Sequence, residues 1–277
     1  MAHLLAGDDP GDRPRALARG TFDGLHRGHR ALLSALREQA RRRDAAACVV
    51  LRTDTAPRLL APDERIEALL SAGVETIYAA SEGTAPAHGF AVEVRGACRS
   101  PRTPAAVSPP PPATIEVARV TWNGAAITVA RIAERLERAN FEAAAAMLGR
   151  RFTLRGRVIH GRQLGRKLGA PTANLALQLD PPLRGIYAAQ VQLTDESEPP
   201  WPAMAYLGKR PTLDAAADAR LQLEVHLLDF SGDLYGRRLT VEPLARVADE
   251  VTLPDLPALR RRIAENVARV RAHFATG

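Results

Sequence analysis

The sequence predicts two domains of different class: an α/β domain on a parallel sheet, followed by an antiparallel β-barrel that ends in a helix. Three observations predict this. The chain has 277 residues, long for one hydrophobic core and comfortable for two. Up to about residue 80, short apolar runs alternate with segments of helical period, the pattern of a parallel sheet. From about residue 150, short strands follow one another with turn residues between them, the pattern of an antiparallel barrel. The expected division is 14–149 and 150–277.

Taken in order, residues 1–15 hold only a short apolar patch before Asp, Gly and Pro, neither a signal peptide nor a transit helix. Residues 16–22 read as a strand. Ala31, Leu32, Leu33, Leu36 and Ala40 then recur at helical spacing. The loop between them is Gly20-Thr21-Phe22-Asp23-Gly24-Leu25-His26-Arg27-Gly28-His29. Two histidines three apart at a helix entrance can point ring N–H donors at a triphosphate. Residues 48–51 read as a fully buried strand, 62–71 as a helix and 76–79 as a third strand. Residues 81–113, rich in Ser, Gly, Ala, His and Pro and closing on Pro109-Pro110-Pro111-Pro112, are expected to form a flexible or polyproline-like linker. Residues 115–129 read as a hairpin around Asn123-Gly124. An amphipathic helix through Leu136 follows, with Arg131 on its polar face. Residues 141–148 form a last helix, with Asn140 as N-cap and Gly149 beyond its end.

In the second half, Leu221, Leu223, Val225 and Leu227 alternate with Gln222, Glu224 and His226, so the apolar set faces the barrel interior and Glu224 the other side. Leu259, Ile263, Val267 and Val270 share one face of a final helix over 257–273. The stretch with the densest chemistry is 165–174, Gly-Arg-Lys-Leu-Gly-Ala-Pro-Thr-Ala-Asn. Gly165 and Gly169 let main-chain N–H groups approach an anion, and Arg166 and Lys167 add positive charge. In an extended segment, Thr172 and Asn174 point to one face and can share a hard cation. Pro171 separates the cationic and hydroxyl parts, so this is not a P-loop. Composition alone favours a basic surface hairpin.

The motifs go further. Gly156-Arg157-Val158-Ile159-His160-Gly161, Gly165-Arg166-Lys167-Leu168-Gly169, Pro171-Thr172-Ala173-Asn174-Leu175, Gly185-Ile186-Tyr187-Ala188, Gly208-Lys209-Arg210-Pro211-Thr212, the run from Leu223 to Phe230 and Gly232-Asp233-Leu234-Tyr235-Gly236 follow in series. From about Arg151 to the end, the chain resembles the riboflavin kinase module of prokaryotic FAD synthetases. Phe22-Asp23-Gly24-Leu25-His26-Arg27-Gly28-His29 resembles the nucleotidyltransferase fingerprint of the adenylylating half of the same synthetases.

The resemblance implies a Rossmann-like nucleotidyltransferase domain and a six-stranded Greek-key barrel with a C-terminal helix. It implies ATP and riboflavin as substrates and Mg2+ or another divalent cation as cofactor. By the same token Glu224 is the catalytic base. Gly165, Arg166, Lys167, Gly169, Pro171, Thr172 and Asn174 bind ATP, with Thr172 and Asn174 on the metal, and Glu250 contacts the flavin. Phe22, Asp23, Gly24, His26, Gly28 and His29 would be a vestigial nucleotide site, because the chain departs from the family elsewhere in the first half. Residues 51–57 stand where the family has an aromatic followed by Pro-His-Pro. Ile127-Thr128-Val129-Ala130 stands in place of a hydroxyl-rich turn and arginine, with Arg131 either that arginine displaced or only a polar-face residue of the helix, and a Phe-rich element has no counterpart in 81–113. Ala248, Leu253, Tyr206 and Asn266 depart from the pattern on the flavin side.

The expected activity is therefore riboflavin phosphorylation to FMN. The alternatives are a bifunctional enzyme that also makes FAD, and a non-catalytic flavin- or nucleotide-binding protein. A net charge of +7 with only 4% aromatic residues does not build a single-strand stacking platform, so small-molecule substrates and no nucleic acid are expected. No apolar run approaches the roughly 20 residues of a membrane helix, and Cys48 and Cys98 read as reduced thiols of a cytoplasmic protein.

Overall fold

The computed structural model describes residues 3–53, 55–80, 90–96, 113–161, 165, 169–193, 199–209, 221–251 and 254–275. Arg166, Lys167, Cys98, Leu253 and most of the expected linker lie outside the described residues. The chain divides into two compact units, Met1–Ile132 with Ala146–Gly149, and Ala133–Ala145 with Arg150–Gly277.

The first unit is a six-stranded sheet. Its strands are β1 (His3–Gly7), β2 (Arg15–Gly20), β3 (Ala46–Arg52), β4 (Thr76–Ala80), β5 (Phe90–Gly96) and β6 (Thr114–Val117), in the order β1-β4-β3-β2-β5-β6. All neighbours run parallel except β1 against β4. Helix α1 (Arg27–Arg42) buries Leu32, Leu33, Leu36 and Ala40, in one core with Ala16, Ala18, Ala47 and Val49 of the sheet. Alanines on the strands let the helix approach closely, and each fully buried leucine contributes about 1.5 to 3 kcal/mol. Helix α2 (Pro62–Ser71) opens with Pro at its first position, and the Glu64 carboxylate accepts the Ala61 N–H at 3.2 Å.

Two expectations need correction. The chain joins the sheet before residue 14, since His3–Gly7 pairs along the β4 edge. The expected linker 81–113 contains an interior strand, β5. Its Ala-Val-Glu-Val-Arg core looks too polar to be buried, yet Val92 and Val94 are fully buried and Glu93 is 2% exposed. Arg19 on β2 lies 3.3 Å from the Glu93 carboxylate and Arg95 pairs with its other oxygen, so the buried charge is compensated. Periodicity does not reveal a cation supplied by another strand.

The hairpin is tighter than expected. Residues Thr114–Val117 belong to the sheet, and only β7 (Thr121–Trp122) and β8 (Ala125–Ala126) pair across Asn123 and Gly124. Both turn residues have positive φ, 48° and 74°, as a type I′ turn requires. Helices α3 (Val129–Glu137) and α4 (Phe141–Leu148) follow. The Asn140 side chain caps α4 by accepting the Ala143 N–H at 3.0 Å.

The second unit is a closed barrel of β9 (Leu154–Ile159), β10 (Ala173–Ala176), β11 (Gly185–Leu193), β12 (Trp201–Lys209), β13 (Leu221–Leu227) and β14 (Arg238–Ala248), in the order β10-β13-β12-β11-β14-β9. Every pairing is antiparallel. Leu223, Val225 and Leu227 are buried as their alternation predicts. Helix α5 (Leu256–Ala275) lays Ile263, Val267, Val270 and Phe274 over Ala188, Met204 and Leu228 on the outside of the barrel. Among the described residues, no helix is long and apolar enough to cross a membrane. Cys48 is buried and free, and burial pushes its thiol up to about 11, which keeps it out of nucleophilic chemistry.

Candidate active site

The barrel face that carries α5 also carries a lateral row of cross-strand partners. Ile159 on β9 faces Asn174 on β10, Asn174 faces Glu224 on β13, Glu224 faces Tyr206 on β12, and Tyr206 faces Ile186 on β11. Directly opposed residues of an antiparallel ladder project to the same side. Asn174, Glu224 and Tyr206 are thus neighbours on one surface, although 18 to 50 residues separate them in the chain. Glu224 is 9% exposed rather than solvated. Its Oε2 accepts a hydrogen bond from Thr172 Oγ1 at 3.3 Å.

Thr172 and Pro171 lie just before β10, and β13 holds both. His226, on the Glu224 face of β13, brings Nδ1 within 2.8 Å of the Pro171 carbonyl. Glycines keep the neighbourhood close. A Cβ on Gly161 would stand 2.3 Å from Asn174 Nδ2, and one on Gly165 would stand 2.4 Å from the Ala170 carbonyl and 3.1 Å from Thr172 Oγ1. Gly169 has φ +84°, the left-handed region that favours glycine.

The oxygens assembled here are a hydroxyl, an amide and a carboxylate. That donor set suits a hard divalent cation such as Mg2+ and does not suit zinc or copper. Among the described residues there is no cluster of His, Cys, Asp and Glu that would make a separate metal site.

Beside the Thr172 turn opens a cleft of about 220 Å³, lined by Val158, Pro171, Thr172, Phe230, Leu234 and Tyr235 among others. It is smaller than the roughly 300 to 1,000 Å³ that encloses a whole drug-sized ligand. Its walls mix apolar and aromatic side chains with the polar Thr172 and Asp233, and the Tyr235 ring stacks on His160 at 4.0 Å.

On the other flank of Glu224, the Tyr206 hydroxyl donates to the Glu250 carboxylate. The bond runs over Gly208, where a Cβ would be 2.2 Å from the Tyr206 oxygen and 2.8 Å from Glu250 Oε1. Sequence reasoning singled out Glu250 and Tyr206 separately and missed their bond, as it missed the contacts of His226 and Gly161. The period-two alternation that places His226 beside Glu224 was the available signal.

In the first unit the predicted loop residues do come together. The loop leaves the C-terminal end of β2, next to the reversal of strand order between β2 and β5, where open α/β sheets bind ligands. Phe22 and Gly24 have φ 48° and 76°. The Asp23 carboxylate accepts the N–H groups of Arg58, Leu59 and Leu60, each at 3.0 Å, so it ties the loop to the segment before α2.

His26 is the N-cap of α1. Its Nδ1 accepts from the N–H groups of Gly28 at 3.1 Å and His29 at 3.3 Å, and a Cβ on Gly28 would meet the ring at 3.0 Å. The donor expected of His26 is narrowed to one ring nitrogen. One nitrogen is an acceptor for backbone, which leaves Nε2–H as its donor. The His26 and His29 rings stack at 3.8 Å. Burial lowers His26 to about 4, and burial with the charges of His26 and Arg65 lowers His29 well below the usual imidazole range. Both rings are neutral near pH 7.

Thr128 Oγ1 accepts the Arg131 N–H at 3.2 Å, and Arg131 Nη1 donates to the carbonyls of Ala125 and Ala126 at 2.7 Å each. The cation of this segment is engaged with its own hairpin.

Comparison with known proteins adds the following. The riboflavin kinase family profile matches residues 148–274 and the FAD synthetase profile matches residues 9–81. A bifunctional riboflavin kinase/FMN adenylyltransferase of Pseudomonas fluorescens is 34% identical over 290 residues, covering 91% of each chain. One from Escherichia coli strain K12 is 31% identical over 293 residues, covering 93% of this chain and 92% of its own. A crystal structure of a Streptococcus pneumoniae protein described as a macrolide-efflux protein matches with a TM-score of 0.71 at 25% identity, over 95% of both chains. That description belongs to that protein.

Proposed function

The chain belongs to the bifunctional riboflavin kinase/FMN adenylyltransferase family, and from that premise we propose how its residues divide the work. Residues 150–277 form the riboflavin kinase, which transfers the γ-phosphoryl group of ATP to the 5′-hydroxyl of riboflavin. The observation that carries the assignment of roles is the row Asn174, Glu224, Tyr206. On the Asn174 side, Thr172 and Asn174 supply oxygens for Mg2+, and the aromatic cleft receives the base of ATP. Arg166 and Lys167 would cover the phosphates. On the Tyr206 side, Tyr206 and Glu250 border the isoalloxazine ring.

Glu224 stands between the two substrates. Its carboxylate accepts the hydrogen bond of the riboflavin hydroxyl, orients the oxygen toward the γ-phosphorus and receives the proton as the P–O bond forms and ADP departs. Phosphoryl transfer through a loose transition state asks mainly for positioning and charge neutralisation. The metal, when bound, neutralises phosphate charge. A buried Glu224, fixed by Thr172, is suited to positioning.

For the first unit we propose nucleotide binding with weak adenylyl transfer. The Arg131 guanidinium already donates through Nη1 to two carbonyls of its own hairpin, which supports that reading. The second reading, a full FAD synthetase, is favoured by the match to the FAD synthetase profile over residues 9–81 and by the completely built Phe22 to His29 loop. One assay tests both: purified protein with riboflavin, ATP and Mg2+, and products separated by chromatography. FMN alone supports the first reading, FMN and FAD at similar rates support the second, and neither product overturns the kinase assignment.

A further inference from the structure

We propose that His226 is a positioning residue of the phosphoryl-transfer site, holding the turn at Pro171 and Thr172 against β13 and thereby fixing the oxygens that receive the metal-bound nucleotide. The proposal rests on the kinase reading above. The β10–β13 ladder begins at the pair Ala173 and Val225, so Pro171 and Thr172 lie beyond its end. Two side chains from the same face of β13 take over there. Glu224 accepts from the Thr172 hydroxyl at 3.3 Å, and His226 Nδ1 reaches the Pro171 carbonyl at 2.8 Å. Consecutive turn residues are thus gripped by residues two apart on one strand, the spacing that puts both on one side.

A carbonyl oxygen only accepts, so Nδ1 carries the hydrogen. That donor is present in the Nδ1–H neutral ring and in the imidazolium alike. The same end of β13 is anchored to the helix as well. Asp229, three residues on, forms a two-pronged ion pair with Arg271 of α5 at 2.6 and 2.8 Å. The strand that grips the turn is thereby tied to the C-terminal helix, and the Arg271 guanidinium holds Asp229 below the usual carboxylate range.

The test compares His226→Phe, His226→Gln and His226→Asn in the full chain. Asparagine places an N–H donor at the reach of Nδ1, glutamine places it one carbon further out, and phenylalanine has none. Mg·ADP and riboflavin binding are measured by titration calorimetry, alongside the melting temperature. Losing one net hydrogen bond predicts that Phe and Gln weaken Mg·ADP binding about 3- to 10-fold. Riboflavin affinity should hold, and Asn should recover Mg·ADP binding. Unchanged Mg·ADP affinity in the Phe variant overturns the proposal. So does an equal loss of riboflavin affinity, failure of Asn to recover, or a wild-type protein that binds no Mg·ADP. A wild type that binds Mg·ADP but forms no FMN would instead overturn the kinase reading, with the grip on the turn still decided by the binding series.

Discussion

Asn174 and Glu224 face each other across the β10–β13 ladder, and Thr172, two residues before Asn174, donates its hydroxyl to Glu224. A hydroxyl, an amide and a carboxylate are therefore gathered on one surface of the barrel. Opposed side chains in such a ladder stand about 4.5 to 5.5 Å apart. Tyr206 extends the row on the other side of Glu224.

Glu224→Gln is expected to lower kcat by about 10²-fold or more, with ATP binding nearly unchanged, because general-base and orienting contributions are of that order. The amide keeps the shape and the Thr172 contact. Steady-state kinetics with a direct ATP-binding measurement check it, and wild-type turnover would remove Glu224 from the mechanism.

Thr172→Ala and Asn174→Ala should each raise the Mg2+ concentration for half-maximal rate, since each deletes an oxygen from a site with few protein ligands. Gly161→Ala should do the same without touching a ligand, because its Cβ would stand 2.3 Å from Asn174 Nδ2 and displace the side chain. Metal titrations at unchanged melting temperature are the measurement.

Tyr206→Phe removes the donor to Glu250 and is expected to raise the KM for riboflavin about 3- to 10-fold while the KM for ATP holds. Equal shifts in both would mean that the pair does not border the flavin side.

The histidines of the first unit predict a pH dependence. His26 is lowered to about 4 in the folded chain, chiefly by burial, against about 6.5 when unfolded. Between those values the unfolded state binds more protons. The contribution is therefore fully present above pH 6.5 and is lost as pH falls toward 4, up to about 3 kcal/mol. His29 acts in the same direction. Hydrogen exchange of α1 amides at pH 7.5 and pH 5 should show the loss, and His26→Asn, which can cap without titrating, should reduce it to the share of His29.

FAD formation from FMN, ATP and Mg2+ is expected to be slow relative to FMN formation. Each missing electrostatic contact at a transferring phosphate costs on the order of 2.7 to 4 kcal/mol, and Nη1 of Arg131 already donates to the Ala125 and Ala126 carbonyls. Comparable rates, abolished by His29→Ala, would place a working adenylyl transfer site in the loop.

Much of the fold was legible because period and punctuation are local. Leu32, Leu33 and Leu36 announce α1, Asn123-Gly124 announces its hairpin, and Leu223, Val225 and Leu227 announce the inner face of β13. Strand β5 was not legible, because its buried Glu93 is stabilised by Arg19, which is 74 residues away in the chain.

By itself the sequence determined the residue types of the site, their order along the chain and the face of each strand on which they lie, since all of these follow from composition and a period of two. Only the tertiary structure decided which faces meet. Register in a closed barrel is set by the whole ring of hydrogen-bonded strands, so the opposition of Asn174, Glu224 and Tyr206 cannot be read from any one segment. The same holds for His226 on the Pro171 carbonyl and for the His26 ring turned inward as a cap. A side chain's chemistry is written in the sequence, but its hydrogen-bond partner is chosen by where the backbone ends up.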